Sequence, residues 1–181
     1  MTTRSPLIFT MSLACFATPS AALAGAHGWD RASSIARTGL VAVALGVPVV
    51  RGDWRGAEQA GLAMGGTSIL TYGLKKAIPE TRPDGSGRDS FPSGHTSVSF
   101  AAAASLEKRY GWQAGIPAFA VASFVGLARV EAKKHYVGDV LAGAAIGSAA
   151  GWLLTTRHDR SVQWLPWGDA HSGGAEITLR F

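Results

Sequence analysis

Five stretches of this chain are long, apolar and almost free of charge. Their pattern predicts helices over Ala32–Val50, Ala57–Ala77, Ser93–Arg109, Trp112–Leu127 and His135–Thr155. Alanine and glycine are abundant in them, and small residues such as Gly61, Gly65, Gly66, Gly143 and Gly147 let backbones approach closely. The expectation is an all-α protein, a compact bundle of five to six helices over residues 25–160. Past residue 160 the period changes. Ala175, Ile177, Leu179 and Phe181 alternate with Glu176, Thr178 and Arg180, after the short apolar run Val162–Pro166 and a Gly-rich turn. A period of two predicts a short C-terminal β-hairpin or flap over residues 161–181. At the other end, Arg4, the apolar run Leu7–Ala17 and the small residues Ala22-Leu23-Ala24 have the order of a signal peptide, residues 1–24.

Run length bears on the membrane. Thr38–Val50 gives 13 uncharged residues, Ala60–Leu74 gives 15, Gly111–Ala128 gives 18 and Val140–Thr156 gives 17. A spanning helix needs about 20. These runs favour an exported periplasmic domain, soluble or membrane-associated, with an integral membrane protein as the alternative. Trp54, Trp112 and Trp152 stand near helix ends, where either an interfacial belt or rim packing accounts for them.

Composition narrows the partners. The formal net charge is +5 and the pI about 9.8. The basic residues Lys75, Lys76, Arg82, Arg88, Arg129, Lys133 and Lys134 gather around the polar segments, not in a stripe interleaved with stacking aromatics. That distribution points to a small anionic ligand or an anionic membrane surface and away from nucleic acid. Cys15 is the only cysteine and falls in the leader, so the mature chain holds no disulfide and no thiolate metal site. His27, His158 and His171 are isolated in sequence and read as surface or tail residues. Nothing in the sequence fixes the oligomeric state.

The chemistry concentrates in three polar blocks. Ser90-Phe91-Pro92-Ser93-Gly94-His95-Thr96 reads as a phosphate cradle at a helix N-terminus, where Ser93 and Gly94 leave the backbone amides open to an anion and His95 adds a titratable proton donor. An ordinary capped helix accounts for that segment taken alone. Upstream, Lys75 is separated from Arg82-Pro83 by six intervening residues. Downstream, Arg129 is followed by His135 and then Asp139.

Together, Lys75, Arg82-Pro83, Pro92-Ser93-Gly94-His95 and Arg129 with His135 and Asp139 resemble the three-part signature of the type 2 phosphatidic acid phosphatase superfamily. That superfamily includes bacterial acid phosphatases and vanadium haloperoxidases. The resemblance covers Lys75 to Asp139, about a third of the chain, and departs from the family at Ala128, where serine is usual.

The residues fit such chemistry individually. Arg82 and Arg129 offer planar forks for phosphoryl oxygens and Lys75 a compact charge. His135 and Asp139 stand four apart, on one face if helical, so that Asp139 orients the ring and leaves its other nitrogen as the nucleophile. A surface ion pair is the plain alternative. His95 is placed to protonate the leaving oxygen. The expected activity is a phosphomonoester hydrolase that works through a phosphohistidine, with no metal and no cofactor. The resemblance implies lipid phosphates such as phosphatidate, or soluble monoesters, as substrates, and vanadate as an inhibitor. A vanadium-dependent haloperoxidase and a non-catalytic anionic-lipid-binding protein are the alternatives. Intact mass of the exported protein is expected to show a chain beginning at Gly25; retention of Met1 to Ala24 counts against the leader.

Overall fold

The computed structural model describes residues 25–158, 162–168 and 173–179, so the expected leader lies outside the described residues. Five helices follow in order: α1 (Ala26–Val50), α2 (Trp54–Ala77), α3 (Gly94–Tyr110), α4 (Trp112–Glu131) and α5 (Val137–Leu154). Two strands come after them, β1 (Val162–Gly168) and β2 (Gly173–Leu179), paired antiparallel with Val162 opposite Leu179 and Gly168 opposite Gly173. The all-α bundle expected from the apolar pattern is the architecture observed.

Local chemistry sets the helix ends. Gly52 turns the chain at a φ of 68°, and the Asp53 side chain then caps α2 by accepting from the Gly56 amide at 3.1 Å. Gly111, at a φ of 88°, closes α3 and opens α4 in a single residue. Ser93 caps α3, so Pro92 precedes the helix and does not lie in its first turn.

α3 is the central helix and touches each of the other four. Its run Ala101–Ala104 is fully buried, and Leu40, Ala44, Met64, Leu106 and Ala122 complete the core around it. Against α5 the approach is backbone to backbone. A β-carbon on Gly143 would lie 2.7 Å from the Ser93 carbonyl, and one on Gly151 would lie 2.7 Å from the Ala101 carbonyl. One on Gly147 would collide with the Ser97 carbonyl. Gly61, Gly65 and Gly66 of α2 have open space instead, so the close packing expected of them is absent.

The far end of the bundle is tied by a buried ion pair. Arg109 binds the Asp53 carboxylate through Nε at 2.7 Å and through Nη2, and its Nη1 donates to the Thr156 carbonyl at 3.0 Å. Tyr110 donates to the same carboxylate at 2.8 Å. His158, read from sequence as a solitary tail residue, lies 3.3 Å from Asp53 in this cluster.

α1, α4 and α5 are each long and apolar enough to cross a membrane. Only 22%, 39% and 22% of their apolar windows are buried within the protein, so their apolar side chains mainly face outward. Counting uncharged runs understated α1, because the count stops at Arg37 whereas the helix runs back to Ala26. Trp54, Trp112 and Trp152 are exposed, and all three sit at the end of the bundle where α2 and α4 begin and α5 finishes.

Gly147→Val is expected to cost at least about 1–3 kcal/mol, because the α3 backbone cannot yield as a side chain would. Gly65→Ala, which meets nothing, is expected to be neutral or stabilising by up to ~1 kcal/mol. Denaturation midpoints of the two variants check the contrast.

Candidate active site

The five helices alternate in direction, and this carries every predicted site residue to one end: the starts of α1, α3 and α5 and the finishes of α2 and α4. The connection from α2 to α3 folds back on itself, with the Ser90 amide donating to the Glu80 carbonyl at 2.9 Å and the Arg82 amide to the Gly87 carbonyl at 3.0 Å. Lys75 braces that fold by donating to the carbonyls of Asp89 and Ser90. Burial lowers the Lys75 ammonium pKa below its ordinary value, and the Arg82 and Arg129 charges add to that; Asp89 and Asp139 oppose it.

The arginines share a design. Nη2 of Arg82 is held by Asp89 at 2.9 Å, while its Nε is buried without a hydrogen-bond partner among the described residues. Arg129, in the last turn of α4, gives Nη1 to the Asp30 carboxylate and to Ser33 Oγ at 3.3 Å, and its Nε is likewise buried and unpaired. One end of each guanidinium is anchored and an inner N–H is left open.

At the start of α3, the Ser93 amide donates to the Asp139 carbonyl at 3.0 Å, so it is not open to an anion as the sequence suggested. The amides of Gly94 and His95 have no partner among the described residues. The face of Gly94 looks onto Thr71 and Lys75. Nε2 of His95 lies 3.1 Å from Ser34 Oγ. Burial holds the His95 pKa down to about 3, with the Arg129 and Arg37 charges contributing.

His135 and Asp139 do not share a helix face. His135 precedes α5, whose N-cap is Tyr136, and Asp139 occupies its first turn. Asp139 Oδ2 accepts from Ser90 Oγ at 2.5 Å and from the Tyr136 amide at 2.9 Å. His135 Nδ1 stands 3.4 Å from that oxygen and makes no hydrogen bond. The carboxylate positions the turn that carries His135. Burial, with the charges of Arg129 and Lys75, lowers the His135 pKa to about 4.

Residues 57–163 match the family model of the PAP2 superfamily. The chain belongs to the PAP2 superfamily. Among PAP2-like relatives, it is 39% identical to a Porphyromonas gingivalis lipid A 1-phosphatase over 44% of this chain and 18% of that protein. It is 30% identical to a Helicobacter pylori lipid A 4′-phosphatase over 62% of each chain. The chain thus spans less than two thirds of these relatives. Two solved structures share the fold. Aquifex aeolicus LpxE has a TM-score of 0.61 at 22% identity, covering 71% of this chain and 84% of that one. A transmembrane PAP2-type phosphatidylglycerolphosphate phosphatase from Bacillus subtilis has a TM-score of 0.58 at 26% identity, covering 71% and 74%.

Lys75, Arg82, Ser93, Gly94, His95, Arg129, His135 and Asp139 therefore all lie at one end of this PAP2 bundle. Sequence reading placed Ser90 in the cradle without its bond to Asp139, and missed Asp89 and the α1 residues Asp30, Ser33 and Ser34. The α1 residues were legible in principle, since positions 30, 33, 34 and 37 are polar at helical spacing, but the helix was started too late to show it.

Both histidines are neutral in the folded protein at pH 7 and take up protons more readily when unfolded. Their contribution to stability is complete above the unfolded value of 6.5 and is lost as pH falls from there toward about 4 for His135 and about 3 for His95. The unfolding midpoint is expected to drop across that window, and added vanadate or phosphate to reduce the drop. An unchanged midpoint between pH 7 and 5 counts against neutral, buried rings.

Proposed function

We propose that this chain is a membrane-embedded phosphatase that hydrolyses phosphomonoesters, lipid phosphates foremost, through a phosphohistidine on His135. One observation carries the reading. Among the described residues, Arg82 Nε, Arg129 Nε and His135 Nδ1 are buried polar atoms with no hydrogen-bond partner, at the same end of the bundle as Lys75 and the open amides of α3. Buried polar atoms are nearly always paired, so a cluster of unpaired donors supports a bound anion as the missing partner. The likeness to lipid A phosphatases and to a phosphatidylglycerolphosphate phosphatase supports a lipid as the phosphate carrier.

The reaction runs in two balanced steps. A ring nitrogen of His135 attacks phosphorus, the bond from phosphorus to the leaving oxygen breaks, and His95 gives that oxygen its proton. Water then attacks the phosphohistidine, the P–N bond breaks, and His95 recovers a proton from the water. Lys75, Arg82 and Arg129 spread the charge of both transition states. Burial keeps the His95 ring neutral at pH 7, so its proton arrives with the substrate, whose phosphate charge raises the ring's affinity for it. The outward apolar faces of α1, α4 and α5 and the exposed tryptophans at the opposite end support insertion with the site at one membrane face, the periplasmic one if the leader is used.

Rapid quench with labelled substrate tests the assignment. His135→Ala is expected to form no phosphoenzyme with any substrate. His95→Ala is expected to lose roughly 10²- to 10⁴-fold on an alkyl phosphate and less on an aryl phosphate, whose leaving group needs little protonation. An acid-labile phosphoenzyme in His135→Ala and none in His95→Ala would reverse the roles.

A further inference from the structure

The connection from α2 to α3 has a second tie, which the phosphate chemistry does not use. Arg82 opens a tight turn, Arg82-Pro83-Asp84-Gly85, in which the Gly85 amide donates back to the Arg82 carbonyl at 2.9 Å. Proline suits the second position of such a turn, and Gly85 leaves it with a left-handed backbone at a φ of 70°. The Arg82 amide is itself held by the Gly87 carbonyl, so both backbone groups of Arg82 are fixed by this turn.

Asp84 joins the turn to the connection between α4 and α5. Its amide donates to the Lys133 carbonyl at 3.1 Å, and its carboxylate accepts from Lys134 Nζ at 2.6 Å and from the Ser86 amide at 3.0 Å. Lys134 Nζ also lies 3.4 Å from Ser86 Oγ. The Lys134 contact foremost, with those from Ser86, holds the Asp84 carboxyl well below the ordinary carboxylate range. Lys133 takes a φ of 55°, a backbone that a residue with a side chain seldom adopts. Among the described residues, these are the only hydrogen bonds or ion pairs by which residues 81–88 reach outside their own connection.

The far side of the tie leads straight into the site. The Lys134 amide donates to the Arg129 carbonyl at 3.1 Å, and the next residue along is His135. Arg82, Arg129 and His135 are therefore referred to one another through a single clasp.

We propose that Asp84 and Lys134 are positioning residues for phosphoryl transfer, whose ion pair sets where Arg82 stands relative to Arg129 and His135. This rests on the phosphatase reading above. Neither side chain has to touch the phosphate. Asp89 anchors the head of Arg82 and the Asp84 turn anchors its backbone, so loosening the turn lets the fork drift while its charge stays. Such a drift weakens contacts to the transition state more than contacts to a tetrahedral phosphate, because only the first demand one exact arrangement of donors.

The test uses the full chain in neutral detergent and measures inhibition of p-nitrophenyl phosphate hydrolysis by vanadate, a transition-state mimic, and by inorganic phosphate. The ratio of the two inhibition constants is independent of how much of a preparation is folded, so a merely structural role leaves it unmoved. Asp84→Asn and Lys134→Gln are each expected to weaken vanadate roughly three- to tenfold and phosphate by less, as the loss of a partly exposed charged contact implies. Their kcat is expected to fall with KM nearly unchanged. The double variant is expected to be no worse than either single one, because both break the same contact. Lys134→Arg is expected to keep most of the vanadate affinity. Lys133→Gln, which removes an exposed charge and keeps the backbone carbonyl, is expected to match the native protein. An unchanged ratio in both single variants overturns the proposal. So do additive losses in the double variant, or an equal loss in Lys133→Gln, since either would assign Lys134 to the general positive field around the site. A native protein that releases no phosphate from this substrate or from a short-chain phosphatidate overturns the phosphatase reading itself, and the clasp's role with it.

Discussion

The contact on which the rest depends is the bare-backbone seam between α3 and α5. Gly143, Gly147 and Gly151 present no side chain toward the carbonyls of Ser93, Ser97 and Ala101. At the upper end of this seam the Ser93 amide bonds the Asp139 carbonyl. Two helix N-termini are thereby held together, and with them the open amides of Gly94 and His95 and the turn bearing His135. Any bulk along the seam would separate the two histidines before it disturbed either one locally. The glycines here have no catalytic chemistry of their own, yet they set the distance at which the chemistry occurs.

Around that seam, charge is held with one hand and offered with the other. Asp30 and Asp89 each grip one end of an arginine fork and leave an inner Nε buried and unpaired. An arginine anchored in this way loses little further side-chain entropy when an anion arrives, which is the physical content of preorganisation. The opposite end of the bundle shows the reverse arrangement, where Arg109 spends its donors on Asp53 and on the carbonyl after α5. One buried arginine fastens helices; Arg82 and Arg129 each keep an inner N–H without a partner among the described residues.

The sequence conveyed the bundle because helix signals are local. Period, apolar run and small residues named all five helices, and the motif blocks named eight residues that the fold gathers at one end. What it did not convey depends on contacts between distant segments. The His135–Asp139 spacing of four suggested a shared helix face, but Asp139 is drawn to Ser90 and the Tyr136 amide, and that capping interaction leaves His135 outside the helix. The α2 glycines have the same composition as those of α5, and only the neighbour across the gap tells them apart. Counting uncharged residues shortened α1, since Arg37 interrupts the tally without interrupting the helix.

α1 lies wholly outside the segment that matches the family model, which begins at residue 57. Yet it is α1 that supplies the counter-ion of Arg129 and the hydroxyl beside His95. The border of recognisable ancestry and the border of the working site are therefore different lines through the same molecule. A substitution in α1 can therefore change the setting of Arg129 or of His95 without altering a single residue of the matched segment.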